Sequence, residues 1–127
     1  MFTIEHFAIY AADAPRLKDF YMETFGMKVV VDNGAGDPPG YFLADPRGMA
    51  VEIIGRPAGQ TNANQRWVCH LAFWVDDFLG TLATLEKHGL AIETDTYADN
   101  EAIRTAFFND PEGNRLQIVW RKQRLGA

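Results

Sequence analysis

Cysteine occurs once in the chain, at position 69. A single thiol excludes an intramolecular disulfide, so the fold must be held by its core, and a reducing compartment is the default expectation. Surplus positive charge is also lacking: 12 Lys and Arg stand against 17 Asp and Glu, a formal net charge of −5. Nucleic acid and anionic membrane surfaces both require the opposite balance, so neither is expected as a partner. No apolar run approaches the roughly 20 residues needed to cross a bilayer. The start, Met1-Phe-Thr-Ile-Glu-His6, has no basic stretch leading into an apolar one, as a secretory signal would. These absences predict a cytoplasmic protein. What is present is a globular composition, 47% hydrophobic and 13% aromatic over 127 residues, which suits one compact domain over 1–127.

The chain repeats itself. Glu5-His-Phe-Ala-Ile-Tyr-Ala-Ala-Asp13 lies over Cys69-His-Leu-Ala-Phe-Trp-Val-Asp-Asp77, setting His6 on His70 and Asp13 on Asp77, each 64 residues apart. Asp45-Pro-Arg-Gly-Met-Ala-Val-Glu-Ile-Ile54 lies over Asp110-Pro-Glu-Gly-Asn-Arg-Leu-Gln-Ile-Val119, setting Glu52 on Gln117 with an offset of 65. So many matches in one frame mark a tandem duplication, with units 1–55 and 67–121 and a polar linker over 56–66.

Each unit reads as βαβββ. Residues 2–10 alternate as a strand does, and 67–75 form a more apolar counterpart. Asp13 stands at a helix N-cap with Pro15 in the first turn, and Leu17, Phe20, Tyr21 and Phe25 follow at helical spacing until Gly26. In the second unit Asp76 or Asp77 caps a helix running to His88, stopped by Gly89. Three strand-like runs follow each helix: 28–31, 40–44 and 49–54, then 91–97, 103–109 and 114–120. The Asp-Pro-x-Gly tetrads join the last two as tight turns. The predicted class is α+β, two tandem βαβββ units forming an open, curved mixed sheet.

Alternate strand residues face alternate sides. If the units pair with approximate two-fold symmetry, His6, Glu52, His70 and Gln117 converge. Two imidazoles, one carboxylate and one amide oxygen form a mixed N/O set for one divalent metal ion, Zn, Ni, Co, Mn or Fe, and leave a bound dication with net charge +1. A lone strand histidine is more often a satisfied residue than a ligand. Glu52 resists so plain a reading, because it sits in an apolar run where an unpaired carboxylate is costly. Gln117 repeats that problem at the duplicate position.

The pattern resembles the metal-binding branch of the vicinal oxygen chelate superfamily, which includes glyoxalase I, methylmalonyl-CoA epimerase, fosfomycin and bleomycin resistance proteins and extradiol dioxygenases. The stretches carrying the resemblance are Ile4-Glu-His6, Asp19-Phe-Tyr-Met-Glu-Thr-Phe-Gly-Met27, Val51-Glu-Ile53, Cys69-His-Leu-Ala-Phe-Trp-Val-Asp76 and Asn109-Asp-Pro-Glu-Gly-Asn-Arg-Leu-Gln117. It implies paired βαβββ units curved around a metal, with His6, Glu52, His70 and Gln117 at the four ligand positions, and a homodimer. Two departures point away from glyoxalase I itself: Tyr10 stands where that enzyme has an Arg, and Gln117 where it has a Glu thought to shuttle protons. Epimerase relatives use two His, one Gln and one Glu, the same content with the halves interchanged. Extradiol dioxygenases carry their carboxylate in the half where this chain has Gln117. Bleomycin-type binders generally lack the metal set.

The resemblance favours a glyoxalase- or epimerase-type lyase or isomerase. The metal would chelate neighbouring oxygens of a small carbonyl substrate and stabilise an enediolate, with Glu52 as ligand and base. One alternative is a non-catalytic drug or metabolite binder, with Trp67, Trp74, Phe107 and Trp120 as stacking faces, although core packing is the plainer account of each of these aromatics. A second is an Fe(II) extradiol-type dioxygenase. The expected pocket wall comprises Tyr10, on the His6 face of its strand, Trp74, in the same relation to His70, Arg104 as a cation for a carboxylate or phosphate, and Phe107.

Overall fold

A computed structural model describes residues 1–60 and 66–126. The chain divides into two compact units, Met1–Ala63 and Asn64–Ala127. Of the predicted linker over 56–66, residues 61–65 lie outside the described residues.

The first unit contains β1 (His6–Ala11), α1 (Ala14–Phe25), β2 (Lys28–Asn33), β3 (Gly40–Ala44) and β4 (Ala50–Gly55). Its four-stranded sheet has the order β1-β4-β3-β2, β1 parallel to β4 and the rest antiparallel. Helix α1 begins where expected: an Asp13 carboxylate oxygen accepts the Arg16 backbone N–H at 3.1 Å, and Gly26 closes the last turn onto the Met22 carbonyl. Ala14, Leu17 and Tyr21 form its buried stripe and pack against one face of the sheet, where Ile9, Ala11, Tyr41, Leu43, Val51 and Ile53 are also buried. Full burial of each large side chain there is worth roughly 1.5–3 kcal/mol.

The second unit repeats the plan with β5 (Leu71–Trp74), α2 (Phe78–Lys87), β6 (Ala98–Asp99), β7 (Ile103–Asn109) and β8 (Arg115–Arg121), in the order β5-β8-β7-β6. Asp77, not Asp76, caps α2 by accepting the Gly80 N–H at 3.0 Å. Phe78 and Leu85 are buried over Ala106, Phe108, Leu116 and Ile118. The predicted α+β class with tandem βαβββ units is therefore the architecture, built as one open four-stranded mixed sheet per unit. No helix among the described residues is long and apolar enough to cross a membrane.

Three strands differ from expectation. β1 starts at His6 instead of residue 2, because its partner β4 begins at Ala50 and Phe2–Ile4 have no ladder to join. β5 likewise begins at Leu71, so His70 stands just before the strand instead of on it. The strand predicted over 91–97 is replaced by the two-residue β6. Here the polar run is drawn into side-chain bonds, Glu93 to Arg115 and Thr96 to Glu93, in place of a regular ladder.

The two Asp-Pro-x-Gly tetrads form near-identical turns. Gly48 and Gly113 take φ of 90° and 84°, a region closed to most side chains. Asp45 accepts the N–H groups of Arg47 and Met49 at 2.8 and 3.0 Å. Asp110 accepts those of Glu112 and Asn114 at 2.9 and 3.0 Å and also the Asn114 amide at 2.9 Å. Asp110 and Asn114 are buried, at 4% and 2% exposure. Removing an acceptor from buried donors costs more than removing one beside water, so Asp110→Ala is expected to lower unfolding free energy by about 2 kcal/mol and Asp45→Ala by about 1 kcal/mol. Urea denaturation of the two variants checks the order, and equal losses would contradict it.

Candidate metal centre

The face of each sheet opposite its helix is where the polar side chains emerge. In the first unit, register pairs Ala8 and Phe42 with Glu52, and Tyr10 with Ile54. Since buried Ile9 and Val51 point to the helix, His6, Tyr10, Phe42 and Glu52 share the open face. His6 Nε2 lies 3.4 Å from Glu52 Oε1, and His6 Nδ1 lies 2.8 Å from Glu5 Oε1. The imidazole edge rests on Phe42, ring centroids 5.2 Å apart at 86°. A proton on Nδ1 donated to Glu5 leaves the Nε2 lone pair aimed at the Glu52 carboxylate. Two acceptors so placed suit a cation between them. Donors about 2.0–2.1 Å from one tetrahedral ion stand about 3.4 Å apart. The Glu5 partner is of the kind that orients metal-bound histidines.

The second unit reproduces the arrangement with an amide. Register pairs Ala72 and Phe107 with Gln117. His70 rests edge-on against Phe107, centroids 5.0 Å apart at 83°, matching His6 on Phe42. Gln117 is buried at 8% exposure and donates its amide N–H to Thr105 Oγ1 at 2.6 Å, which turns the amide oxygen elsewhere as a free acceptor. Among the described residues no group of three or more His, Cys, Asp or Glu side chains is placed to hold a metal. Each unit thus offers a pair of donors of the right chemistry.

The predicted wall residues separate. Tyr10, 47% exposed, and Trp74, 38% exposed, lie on the open faces of their sheets, as does Phe107. Arg104 does not share that face. It is register-paired with Trp120 and has the parity of Ala106 and Phe108, and its guanidinium is bound to Asp99 at 2.9 Å. The odd-even count along β7 already separates Arg104 from Phe107, so it is no part of the Gln117 face.

Three participants escaped the sequence reading: Glu5, Thr105 and Arg115. Glu5 adjoins His6, and Thr105 lies two residues from Phe107 on the same face, so period-two counting reaches both. Arg115 occupies the duplicate position of Ala50, at the start of β8. It is buried at 8% exposure and donates to both Glu93 carboxylate oxygens at 3.0 and 2.8 Å and to the Arg66 carbonyl at 3.2 Å. Its guanidinium stacks 4.0 Å from the centroid of Phe107, the ring that supports His70.

The strands and faces set out here define a class, the glyoxalase-like α+β proteins of paired βαβββ units. Residues 3–118 match the model of the Glyoxalase/Bleomycin resistance protein/Dioxygenase superfamily, and the chain belongs to it. It is 32% identical over 120 residues to the uncharacterized protein YaeR of Escherichia coli strain K12, which covers 91% of this chain and 93% of the relative. Its fold is similar to that of the trypanothione-dependent glyoxalase I of Leishmania major, with TM-score 0.77, 24% identity and coverage of 96% of this chain and 88% of that one. It is also similar to FosX, the fosfomycin resistance protein of Listeria monocytogenes in complex with Mn(II) and sulfate, with TM-score 0.73, 12% identity and coverage of 98% and 93%. At these identities the structural likeness is one of fold.

Arg115 holds the Glu93 carboxyl below its ordinary value of 4.5 through their hydrogen bonds; Thr96 and the charges of Arg115 and Arg66 act in the same direction, against the opposing effect of burial. A carboxyl whose folded value is depressed stabilises the fold above its unfolded value, and that contribution is lost as pH falls through the folded value. The wild-type chain should therefore lose stability on acidification below pH 4.5, and Glu93→Gln should show a shallower decline over the same window. Urea midpoints across that range test it, and parallel curves would contradict the assignment.

Proposed function

We propose that this protein is a divalent-metal-dependent lyase or isomerase of glyoxalase or epimerase type, acting on a small carbonyl compound with neighbouring oxygens. In this reading His6, Glu52, His70 and Gln117 together hold one Zn, Ni, Co, Mn or Fe ion. The observation that carries it is the 3.4 Å approach of His6 Nε2 to Glu52 Oε1, backed by Glu5 on the other ring nitrogen. Repetition of the histidine–phenylalanine contact beside Gln117 supports the second pair. FosX, of similar fold, is known with Mn(II) bound. The homodimer and the cytoplasmic setting implied by the sequence are carried forward with this reading.

When bound, the ion supplies Lewis acidity that stabilises negative charge left on the substrate oxygens. The chain's own residues do the rest. Glu52 is the one carboxylate of the four and the one able to receive a proton from carbon. Its side chain keeps 24% of its surface exposed, so a substrate can reach it. The α-proton passes to a Glu52 oxygen and is returned to carbon, or the electron pair it leaves on carbon expels a leaving group from the adjacent carbon, so that isomerase and lyase outcomes share one first step. Gln117, which takes no proton from carbon, is held by Thr105 as an oxygen donor only. Phe42 stands opposite Glu52 and Tyr10 opposite the neighbouring Ile54, so both lie on the open face beside the carboxylate.

Protein purified without a histidine tag should contain about one divalent ion per chain by mass spectrometry, with the ion absent from His6→Ala and Glu52→Ala. Glu52→Gln should retain part of the metal yet lose exchange of the α-proton of small 2-hydroxy carbonyl compounds in D2O, followed by NMR. Wild-type exchange in that variant would remove Glu52 as the base. A chain that refuses added metal would end the reading.

A further inference from the structure

Beyond β8, Arg124 folds back and lays its guanidinium over the indole of Trp74, 3.8 Å from the ring centroid. Trp74 is register-paired with Val119, two residues along β8 from Gln117, and so projects from the same open face. The row of Trp74, Val119 and Thr105 adjoins the row of Ala72, Gln117 and Phe107, about 7 Å away at strand spacing. Thr105 is also the residue that holds the Gln117 amide.

Charge distinguishes Arg124 from most of its neighbours. Arg66, Arg104 and Arg115 of the same unit are each matched by a carboxylate, Asp95, Asp99 and Glu93. Arg124 and Arg121 enter no ion pair among the described residues, and Arg121 follows Gln117 and Val119 in parity on the open face. An arginine held over an indole loses conformational freedom while its N–H groups remain able to donate. In a chain of net charge −5, general surface potential does not attract anions, so a local cation of this kind acts only on a ligand that reaches it.

We propose that Arg124, braced on Trp74 and assisted by Arg121, is an oxyanion subsite that takes the carboxylate or phosphoryl group of the small molecule handled on this face. The inference rests on the proposed function for its link to the Gln117 row, and it narrows the substrate class to anionic compounds: an oxygenated carbonyl compound that also bears a carboxylate or phosphate. The planar guanidinium edge matches two oxygens of either group.

The test uses the full chain, stripped of metal with a chelator, titrated separately with inorganic phosphate and with acetate while tryptophan fluorescence is followed. Saturable binding of either anion is expected, weakened about tenfold in Arg124→Gln and less than twofold in the control Lys122→Gln. Trp74→Phe should remove most of the fluorescence response while circular dichroism stays unchanged. Where Arg124→Gln unfolds at a lower temperature than wild type, Arg124→Lys serves instead, keeping the charge but losing the two-pronged geometry, with a smaller but clear loss of affinity expected. Response to phosphate assigns a phosphoryl group, and response to acetate alone assigns a carboxylate. Equal affinity in wild type and Arg124→Gln, or no binding of either anion by wild type, overturns the subsite. Because the titration is done without metal, anion binding in a chain that never takes up metal leaves the subsite standing and retires only the metal reading.

Discussion

In each unit the direction of every strand side chain follows from a sheet with a helix on one face only. Backbone pairing fixes each residue to a side, and the helix claims one of the two sides for burial. Leu17 and Tyr21 of α1 cover the face that carries Ile9, Val51 and Ile53, so His6, Glu52 and Tyr10 are forced to the other. A one-residue slip in β4 would bury the Glu52 carboxylate under the helix and expose Ile53. The apolar burial that stabilises the sheet therefore also enforces the register that aims the donors, and the duplicate arrangement in the second unit is subject to the same condition through Leu116 and Ile118.

Much of this was legible in the sequence because the signals are local or repeated. Asp13, Gly26, Asp77 and the two Asp-Pro-x-Gly turns act within four residues of themselves, and each does in the structure what its chemistry dictates. Period-two counting assigned Tyr10 to the His6 face of its strand, as the structure has it. What escaped depends on partners distant in the chain. The ladder that β1 and β5 can join begins only at Ala50 and Leu116, which no pattern within residues 2–10 or 67–75 reveals. The run 91–97 has strand-like residues, yet Glu93 is committed to Arg115, 22 positions later. Arg104 lies apart from Phe107 for a local reason: the two differ in parity along β7 and face opposite sides of the sheet.

Within each unit the charged groups near the open face have distinct duties. Glu5 orients an imidazole, Glu93 neutralises Arg115 so that a buried guanidinium can support Phe107, and Glu52 has the histidine edge as its neighbour. Arg115 and Glu93 illustrate why a buried charge need not be a reacting one: their bidentate geometry satisfies both partners. Glu52 has no comparable cationic clamp within its sheet, which sets it apart from the carboxylates whose role is structural.

Glu52 and Gln117 occupy equivalent register positions in the two units, each opposite a phenylalanine and an alanine. Neither side chain enters the helix-facing core, so exchanging carboxylate for amide there leaves the ladder, the turns and the packing as they were. Duplication followed by drift at that one position is thus a route by which a lineage can change the formal charge presented on the open face of a unit in a single step, without having to solve the folding problem again.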